Sequence, residues 1–311
     1  MTTNPLIDAV ITWVDGSDPS FIANKNKYAA LELSEKPDII SMGLLDTRFN
    51  NIGEVVYCIK LIRKNIEWAG RIFLVTNGQV PVFLTDAFKN KYNIVLITHE
   101  QIFTNYEYFL PVFNSQSIEA MLCNIPGLSE DFLYFNDDFF VIQKIGLEEF
   151  KLGQKYMVRG LRRFKNIWLD RVHRFLRIAY VPGTVGKRFE SDSYPEKFMY
   201  FSPMHAPYVL NKTIMRQSIE ASGGFGAIVK YKFRGKNQPW PIGLFINELA
   251  KRGLLYQKKP HDTGYYHGYT HGKFDFFDIT GLKFFSAQSL DSLPLAEQKK
   301  AIGFLNDLVE G

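Results

Sequence analysis

Residues 7–19 read IDAVITWVDGSDP, and residues 131–142 read DFLYFNDDFFVI. In the first stretch Ile7, Val10, Ile11 and Val14 form an apolar, β-branched run too short for a helix. It stops at Asp15-Gly16 and Asp18-Pro19, both strong turn signals. The expected element is a strand that delivers a carboxylate at its exit. The second stretch repeats the layout, with an apolar strand ending in Asn136, Asp137 and Asp138. In an open α/β sheet, ligands bind in the crevice outside the carboxyl ends of the parallel strands. Two acidic strand exits therefore predict one shared site.

Working outward, a polar, helix-prone stretch covers residues 20–37. Ile52, Val55, Val56, Ile59, Ile62 and Ile66 then recur at helical spacing, with Asn50 or Asn51 placed to cap the start. Residues 71–79, RIFLVTNGQ, read as a strand closed by an Asn-Gly turn, and residues 93–103 as another. In residues 110–128, LPVFNSQSIEAMLCNIPGL, Asn114 or Ser115 stands as a helix N-cap and Ile118, Met121, Leu122 and Ile125 as the buried stripe. The exposed start of that helix could hold an anion. Alternating strands and helices predict an α/β fold, a mostly parallel sheet with helices on both faces. Beyond residue 150 the periodicity weakens and Gly and Pro punctuate more often. We expect an α/β core over residues 1–150, a basic insertion or subdomain over 151–200, and the rest of the core over 201–311. An amphipathic helix at 292–309, capped by Ser292, closes the chain.

The chain has 311 residues and is 46% hydrophobic, enough to bury one large core or two linked ones. No run of eighteen apolar residues occurs, and the N-terminus lacks a leader pattern, so the expected location is the cytosol or the inner face of a membrane. Cys58 and Cys123 are the only cysteines; without metal-type spacing they read as core thiols in a reducing compartment. The net charge of +5 hides an asymmetry, for residues 155–188 hold ten Lys or Arg against the single acid Asp170. That stretch suits phosphate groups, an anionic polymer or a lipid surface, or is simply a solvated helix face. Nucleic acid is disfavoured because no binding motif accompanies the basic residues.

Three constellations carry chemistry. Asp15, Asp18, Asp137 and Asp138 suit a diphosphate ligand with its hard cation, since Mg2+ is typically held by one or two carboxylates plus phosphate oxygens. Each motif taken singly reads equally well as a strand-ending turn. The second is His205, in SPMHAPYVL, with Arg216 and Arg234: a general base near neutral pH and an arginine to neutralise phosphoryl oxygens. The third is HDTGYYHGYTHG, residues 261–272, with His261, His267 and His271, read as a glycine-rich aromatic loop lining a sugar or nucleotide pocket rather than as a zinc site. Walker A, GxGxxG, HExxH and GxSxG sequences are absent, which removes the main support for ATPase, dinucleotide oxidoreductase, zincin and serine hydrolase chemistry.

IDAVITWVDGSDP, the segment from Arg48 and Glu54 through RIFLVTNGQVP, then LPVFNSQSIEAMLCNIPGL and FLYFNDDFFV together resemble the Stealth family of sugar-1-phosphate transferases. MHAPYVLNK resembles that family's third conserved block, with Arg234 about where the family has a functional arginine. KFFSAQSLDS, residues 283–292, resembles the fourth in position and aromatic character. Lys60 stands where an arginine is commoner.

The resemblance implies a Rossmann-like nucleotide-sugar core and a nucleotide-sugar donor, usually UDP-linked. The donor is cleaved between its phosphates, so that sugar-1-phosphate passes to an acceptor hydroxyl and a nucleoside monophosphate leaves. It also implies an oligosaccharide or polysaccharide acceptor, lipid-linked in some cases, of capsular type. Asp15 with Asn136, Asp137 and Asp138 would form the donor and metal site, for Mg2+ or Mn2+. His205 and Arg234 would belong to the catalytic centre. Arg48, Asn114, Ser115, Asp18 and Trp13 would contact substrate, with ordinary core as the other reading of Trp13. Either His205 or Asp15 could take the acceptor proton. The competing expectations are a conventional glycosyltransferase releasing a nucleoside diphosphate, and a carbohydrate-binding assembly protein without catalysis. Residues 155–188 are the expected contact with polymer or membrane.

Overall fold

The structure is a computed structural model and describes residues 7–35, 49–164, 199–235, 237–274 and 278–311. Arg48 and residues 165–198, most of the basic stretch, lie outside the described residues.

The main sheet is built from β1 (Ile7–Thr12), β2 (Ala69–Thr76), β3 (Ile94–Thr98) and β4 (Asp131–Asn136), all parallel, in the order β3-β2-β1-β4. β5 (Phe139–Val141), β6 (Lys151–Leu152), β7 (Lys155–Phe164) and β8 (Met199–Pro203) lead away from it. β9 (Tyr208–Asn211) returns antiparallel beside β4 and completes five strands. Residues 7–11 of β1 are buried without alternation, as expected of a parallel strand covered on both faces. The α/β class is therefore as the periodicity predicts.

The strand order explains the site. From β1 the chain winds to one side through β2 and β3, and β4 then adds on the other side of β1. The reversal falls between β1 and β4, a topological switch point, where the crevice at the strand ends opens. Thr12 pairs with Asn136 in register, so Asp15 leaves the sheet beside Asp137 and Asp138.

Two smaller sheets flank this one. β10 (Leu255–Lys258) runs parallel to β7, which also pairs with β6 and β8. β11 (Thr263–His267) is parallel to β12 (Phe284–Gln288), and β12 is antiparallel to β5. Arg159 bridges them. It is 3% exposed, and its guanidinium binds Glu149 (2.5 Å) and Asp262 (2.8 Å), while Lys258 and Lys283 also reach Glu149. This corrects the reading of Arg159 as part of a solvated or membrane-facing run. A buried guanidinium with its donors satisfied by carboxylates is structural. Arg162 is exposed and donates to Gln257 (2.8 Å).

Several element boundaries differ from the expectations. α1 (Pro19–Glu35) and α2 (Glu54–Asn65) appear as foreseen, but α2 starts after Gly53 in a left-handed conformation. Asn51 does not cap it; its side chain donates instead to the Val14 carbonyl (3.2 Å), tying the α2 entry to the β1 exit. After the two-turn helix α3 (Asp86–Tyr92), β3 ends at Thr98. A capping box there starts the single-turn helix α4 (His99–Ile102), so residues 99–103 are not strand. The helix at 110–128 shrinks to α5 (Ser115–Met121) with a following 3-10 turn. Residues 263–267 of the histidine-rich segment are strand rather than loop. The last helix runs Leu295–Glu310 and follows Pro294, not Ser292. Cys58 and Cys123 are both fully buried, as read. Among the described residues no helix is long and apolar enough to cross a membrane.

Candidate active site

The turn after β1 is held by other parts of the chain. An added Cβ at Gly16 would sit 2.4 Å from the Phe49 carbonyl group, to which the Gly16 amide donates at 3.0 Å; only glycine fits there. Phe49 belongs to an aromatic cluster with Phe21, Phe113 and Phe233, the last two stacked at 5.2 Å. The cluster binds the β1 exit to the segments that carry Ser115 and Arg234. Gln79, at the end of the β2 turn, clamps Asp15 at two points: its Oε1 accepts from the Asp15 amide (2.8 Å) and its Nε2 donates to the Asp15 carbonyl (3.0 Å). The Asp15 carboxylate accepts from the Ser17 amide (2.9 Å) and hydroxyl (2.6 Å). Gln79→Ala is expected to free the Asp15 backbone with little change in melting temperature; faster amide hydrogen exchange at Asp15 checks this.

Asp18 has a local role as the cap of α1. Its Oδ1 accepts from the Phe21 amide (2.7 Å) and from the Ser20 hydroxyl, and these bonds hold its carboxyl below the usual range. Asn114 likewise caps α5 through the Gln116 amide (3.1 Å), and its amide group donates to Gln238 (2.7 Å) and the Tyr231 carbonyl (3.3 Å). At 4% exposure it is spent on structure. Ser115 is different, because its hydroxyl accepts from Arg234 Nη2 at 2.9 Å.

At the exit of β4, Asn136 Oδ1 accepts from the Tyr134 hydroxyl (2.7 Å), which also lies 3.3 Å from Glu119 Oε1; Glu119 Oε2 accepts from Trp240 (3.2 Å). Desolvation alone would lower the Arg234 guanidinium, and the Glu119 charge opposes it. Glu119 thus links the arginine to the acidic strand end. Burial raises the Asp137 carboxyl, and burial with the Asp137 and Glu54 charges raises Asp138 well above the carboxylate range. Glu54, 5% exposed, is pushed up to about 8 by burial and then by Asp137. Its Oε2 accepts from the Ile52 amide (2.6 Å). Asp291 is raised by burial and also acts on Glu54. The result is an electronegative pocket floor that favours protons or a cation.

The sign of the linked stability follows. Glu54, Asp137 and Asp138 bind protons more tightly folded than unfolded, so stability falls as pH rises from the ordinary carboxylate range through about 8. Glu54→Gln keeps an acceptor for Ile52 and removes one charge. We expect it to raise the melting temperature at pH 8 by a few °C, roughly 1–2 kcal/mol, and to change it little at pH 4.5. Thermal melts of the metal-free chain at both pH values check it.

Among the described residues the buried side-chain atoms without a hydrogen-bond partner include Trp13 Nε1, Arg234 Nε, Asp138 Oδ1 and Asp291 Oδ1. Two are donors and two are carboxylate oxygens. Native structures rarely leave such groups unpaired without a ligand, ion or water to meet them. No three His, Cys, Asp or Glu side chains among the described residues form a preformed metal cage. The adjacent raised carboxylates and the unpaired Asp138 oxygen nevertheless fit a cation shared with ligand oxygens, which is how Mg2+ is usually bound.

His205 is exposed, on the loop between β8 and β9, with its ring 5.3 Å from Tyr265 and 6.3 Å from Phe139. Arg216 lies elsewhere, donating to Asn124 (3.0 Å) and the Cys123 carbonyl. His271 accepts from or donates to His267 backbone atoms, so this pair closes a turn. The register sets the exits of β1 and β4 side by side, the first carrying Trp13 and Asp15 and the second Asn136, Asp137 and Asp138. The contacts of Trp13 and Asp15 run to Val75, Phe83 and Gln79 on the β2 side, while Glu119 links Arg234 and Tyr134 and Phe139 lies against His205. The residues missed in the sequence are Glu54, Glu119, Tyr265, Gln288 and Asp291. Glu54 and Glu119 read as ordinary helix carboxylates. Gln288 and Asp291 lie in the segment whose polar residues looked least like the fourth block. A recess of about 700 Å3 opens at the opposite, amino end of β1 and β4, beside Ile7, Asp131 and Lys151, away from these acids.

The chain is an α/β protein whose switch point carries carboxylates with pKa values raised by burial, with a buried arginine linked to them through Glu119. Residues 6–30 match conserved region 1 and residues 48–159 conserved region 2 of the Stealth proteins. It is 40% identical over 144 residues to a capsular polysaccharide phosphotransferase of Actinobacillus pleuropneumoniae, covering 46% of this chain and 38% of that protein. It is 36% identical over 149 residues to one of Streptococcus thermophilus, covering 48% and 59%. An exopolysaccharide phosphotransferase of Streptomyces coelicolor is 38% identical over 159 residues, covering 51% and 16%. The match spans less than two thirds of each of these relatives. Among solved structures, the apo WbbM bifunctional glycosyltransferase aligns with a TM-score of 0.47 and 12% identity, over 100% of this chain and 50% of that one.

Proposed function

We propose that this chain transfers a sugar-1-phosphate from a nucleotide-diphosphate sugar, UDP-linked, to a hydroxyl of a capsular or other cell-surface glycan. The observation that carries the reading is the set of unpaired buried atoms, two donors from Trp13 and Arg234 and carboxylate oxygens from Asp138 and Asp291. A diphosphate with a divalent cation would satisfy donors and acceptors of this kind, and the capsular and exopolysaccharide phosphotransferases similar to this chain supply the reaction class.

In this reading the acceptor oxygen forms a bond to the sugar-bearing phosphorus while the bridging P–O bond of the diphosphate breaks. The electron pair leaves with the nucleoside monophosphate. Arg234 neutralises the phosphoryl oxygens, held in place by Ser115, and His205 takes the acceptor proton, with Asp15 as the other candidate base. Asp137 and Asp138 would hold Mg2+ or Mn2+, which contributes charge neutralisation at the diphosphate. Trp13 lines the donor side. The basic residues beyond Lys165 would meet the anionic polymer or a membrane-held acceptor.

The test is the leaving nucleotide. The chain, UDP-sugars, Mg2+ and an oligosaccharide acceptor are incubated and the products read by mass spectrometry. UMP with phosphorus retained in the product supports the reading. UDP without UMP, and no phosphorus in the product, identifies a conventional glycosyltransferase. No turnover of any donor, with acceptor binding intact, identifies a carbohydrate-binding assembly protein.

A further inference from the structure

In the small sheet, β11 pairs with β12 so that Tyr265 lies opposite Ser286, and β12 pairs with β5 so that Ser286 lies opposite Phe139. Directly paired residues project to the same face of a sheet. The three strands therefore present a row of large, small and large side chains, with Ser286 fully buried between two aromatic rings. His205 sits against both ends of the row. Its ring stacks on Tyr265 at 5.3 Å with 20° between the planes, and meets Phe139 edge-on at 6.3 Å and 68°. The Tyr265 hydroxyl donates to Gln288 Oε1 at 2.9 Å, and the Gln288 side chain is hydrogen-bonded in turn to Asp138. The Asp138 carbonyl accepts from the Ala287 amide at 3.1 Å, which fixes the same strand to the acidic turn.

We infer that Tyr265 is a positioning residue: its ring sets the plane of the His205 imidazole, and its hydroxyl, through Gln288, ties that imidazole to the Asp138 carboxylate. The inference rests on the function proposed above for what His205 does, but not for where it is held. His205 belongs to a loop on the surface, where an imidazole otherwise samples several rotamers. A stacked aromatic face is worth about 0.5–1.5 kcal/mol, enough to favour one orientation several-fold. A base misplaced by about 1 Å costs on the order of a hundredfold in rate. The hydroxyl bridge sets the distance between the side chain proposed to receive the proton and the end of the crevice proposed to hold the diphosphate. The geometry also accounts for a tyrosine left 37% exposed in a strand, whose hydroxyl would otherwise point only to water.

Two measurements test it. In kinetics, Tyr265→Leu is expected to lower kcat about thirtyfold with donor KM nearly unchanged, Tyr265→Phe, which keeps the ring and loses the hydroxyl bridge, to lower it by several-fold, and Tyr265→Leu to add little when His205 is already alanine. Equal losses for Tyr265→Leu with His205 present or absent overturn the inference, as does a loss confined to KM. The second needs no activity. In NMR spectra of histidine-labelled protein, with the His205 signal assigned by its absence from His205→Ala, the ring protons are expected upfield in the wild type and in Tyr265→Phe. They should move downfield in Tyr265→Leu. An unmoved signal in folded Tyr265→Leu overturns the inference. A wild type that shows the ring shift but turns over no nucleotide sugar leaves the placement of His205 standing and removes the proposed function.

Discussion

Asp138→Asn is expected to abolish metal-dependent transfer, lowering kcat by about a thousandfold, while making the metal-free chain more stable at pH 8. The two effects have one cause. Asp138 is buried against the charges of Asp137 and Glu54, so its ionised form is costly in the free protein. Asparagine has nearly the same shape and keeps a side-chain acceptor, but it removes the repulsion. It also removes the charge that would hold a divalent cation against the diphosphate, and electrostatic stabilisation of that kind is commonly worth several kcal/mol in the transition state. Melts should therefore show a higher midpoint for the variant without metal, and a smaller gain on adding Mg2+ than for the wild type. A variant that is less stable and fully active would overturn the assignment of Asp138 to a cation.

Arg234→Ala is expected to cost a similar factor, about a thousandfold in kcat, with donor KM changed much less. An arginine on the phosphoryl oxygens acts mainly on charge that develops during transfer, and such arginines are worth roughly three to five orders of magnitude where they have been removed. Its place here is restrictive. One nitrogen donates to Ser115, another has no partner among the described residues, and the residue directly follows Phe233 of the aromatic cluster. Arg234→Lys is expected to recover little, since an ammonium cannot reach Ser115 and a ligand along two directions of a planar fork. Single-turnover measurements with saturating donor separate the chemical step from binding. A variant whose loss lies wholly in KM would make Arg234 a binding residue only.

Much of the site was legible in particular residues. Trp13, Asp15, Asn136, Asp137 and Asp138 stand at strand exits, and strand exits are local events: an apolar run of the right length followed by Asp-Gly or Asn-Asp. His205 and Arg234 stood out by residue type alone, as a loop histidine with arginines downstream, and only the likeness of their segments to the Stealth blocks assigned them to a catalytic centre, because neither carries a local pattern. Asn114 was legible as a capping residue, and the structure uses it so; Asp18, read as a turn residue and a ligand contact, caps α1. Glu54 and Glu119 were hidden because a glutamate on a helix normally faces water, and nothing in the spacing of α2 or α5 says that its acidic position turns inward. Tyr265 was hidden by its neighbourhood: a segment with glycine, tyrosine and histidine in alternation reads as a loop, and its strand character comes from pairing with β12.

The sequence by itself determined the α/β class, the two acidic strand exits and the likeness to the first two Stealth conserved regions, since apolar periodicity, turn chemistry and motif identity are all properties of short segments. Only the tertiary structure decided that β4 lies beside β1 on the side away from β2, so that the two exits face one crevice. It alone decided that Glu54 and Asp291 deepen the crevice's negative charge and that Tyr265 carries His205. The physical reason is that strand order and carboxylate burial are set by which faces must be covered when the whole chain condenses. That is a non-local competition which no single stretch of residues encodes.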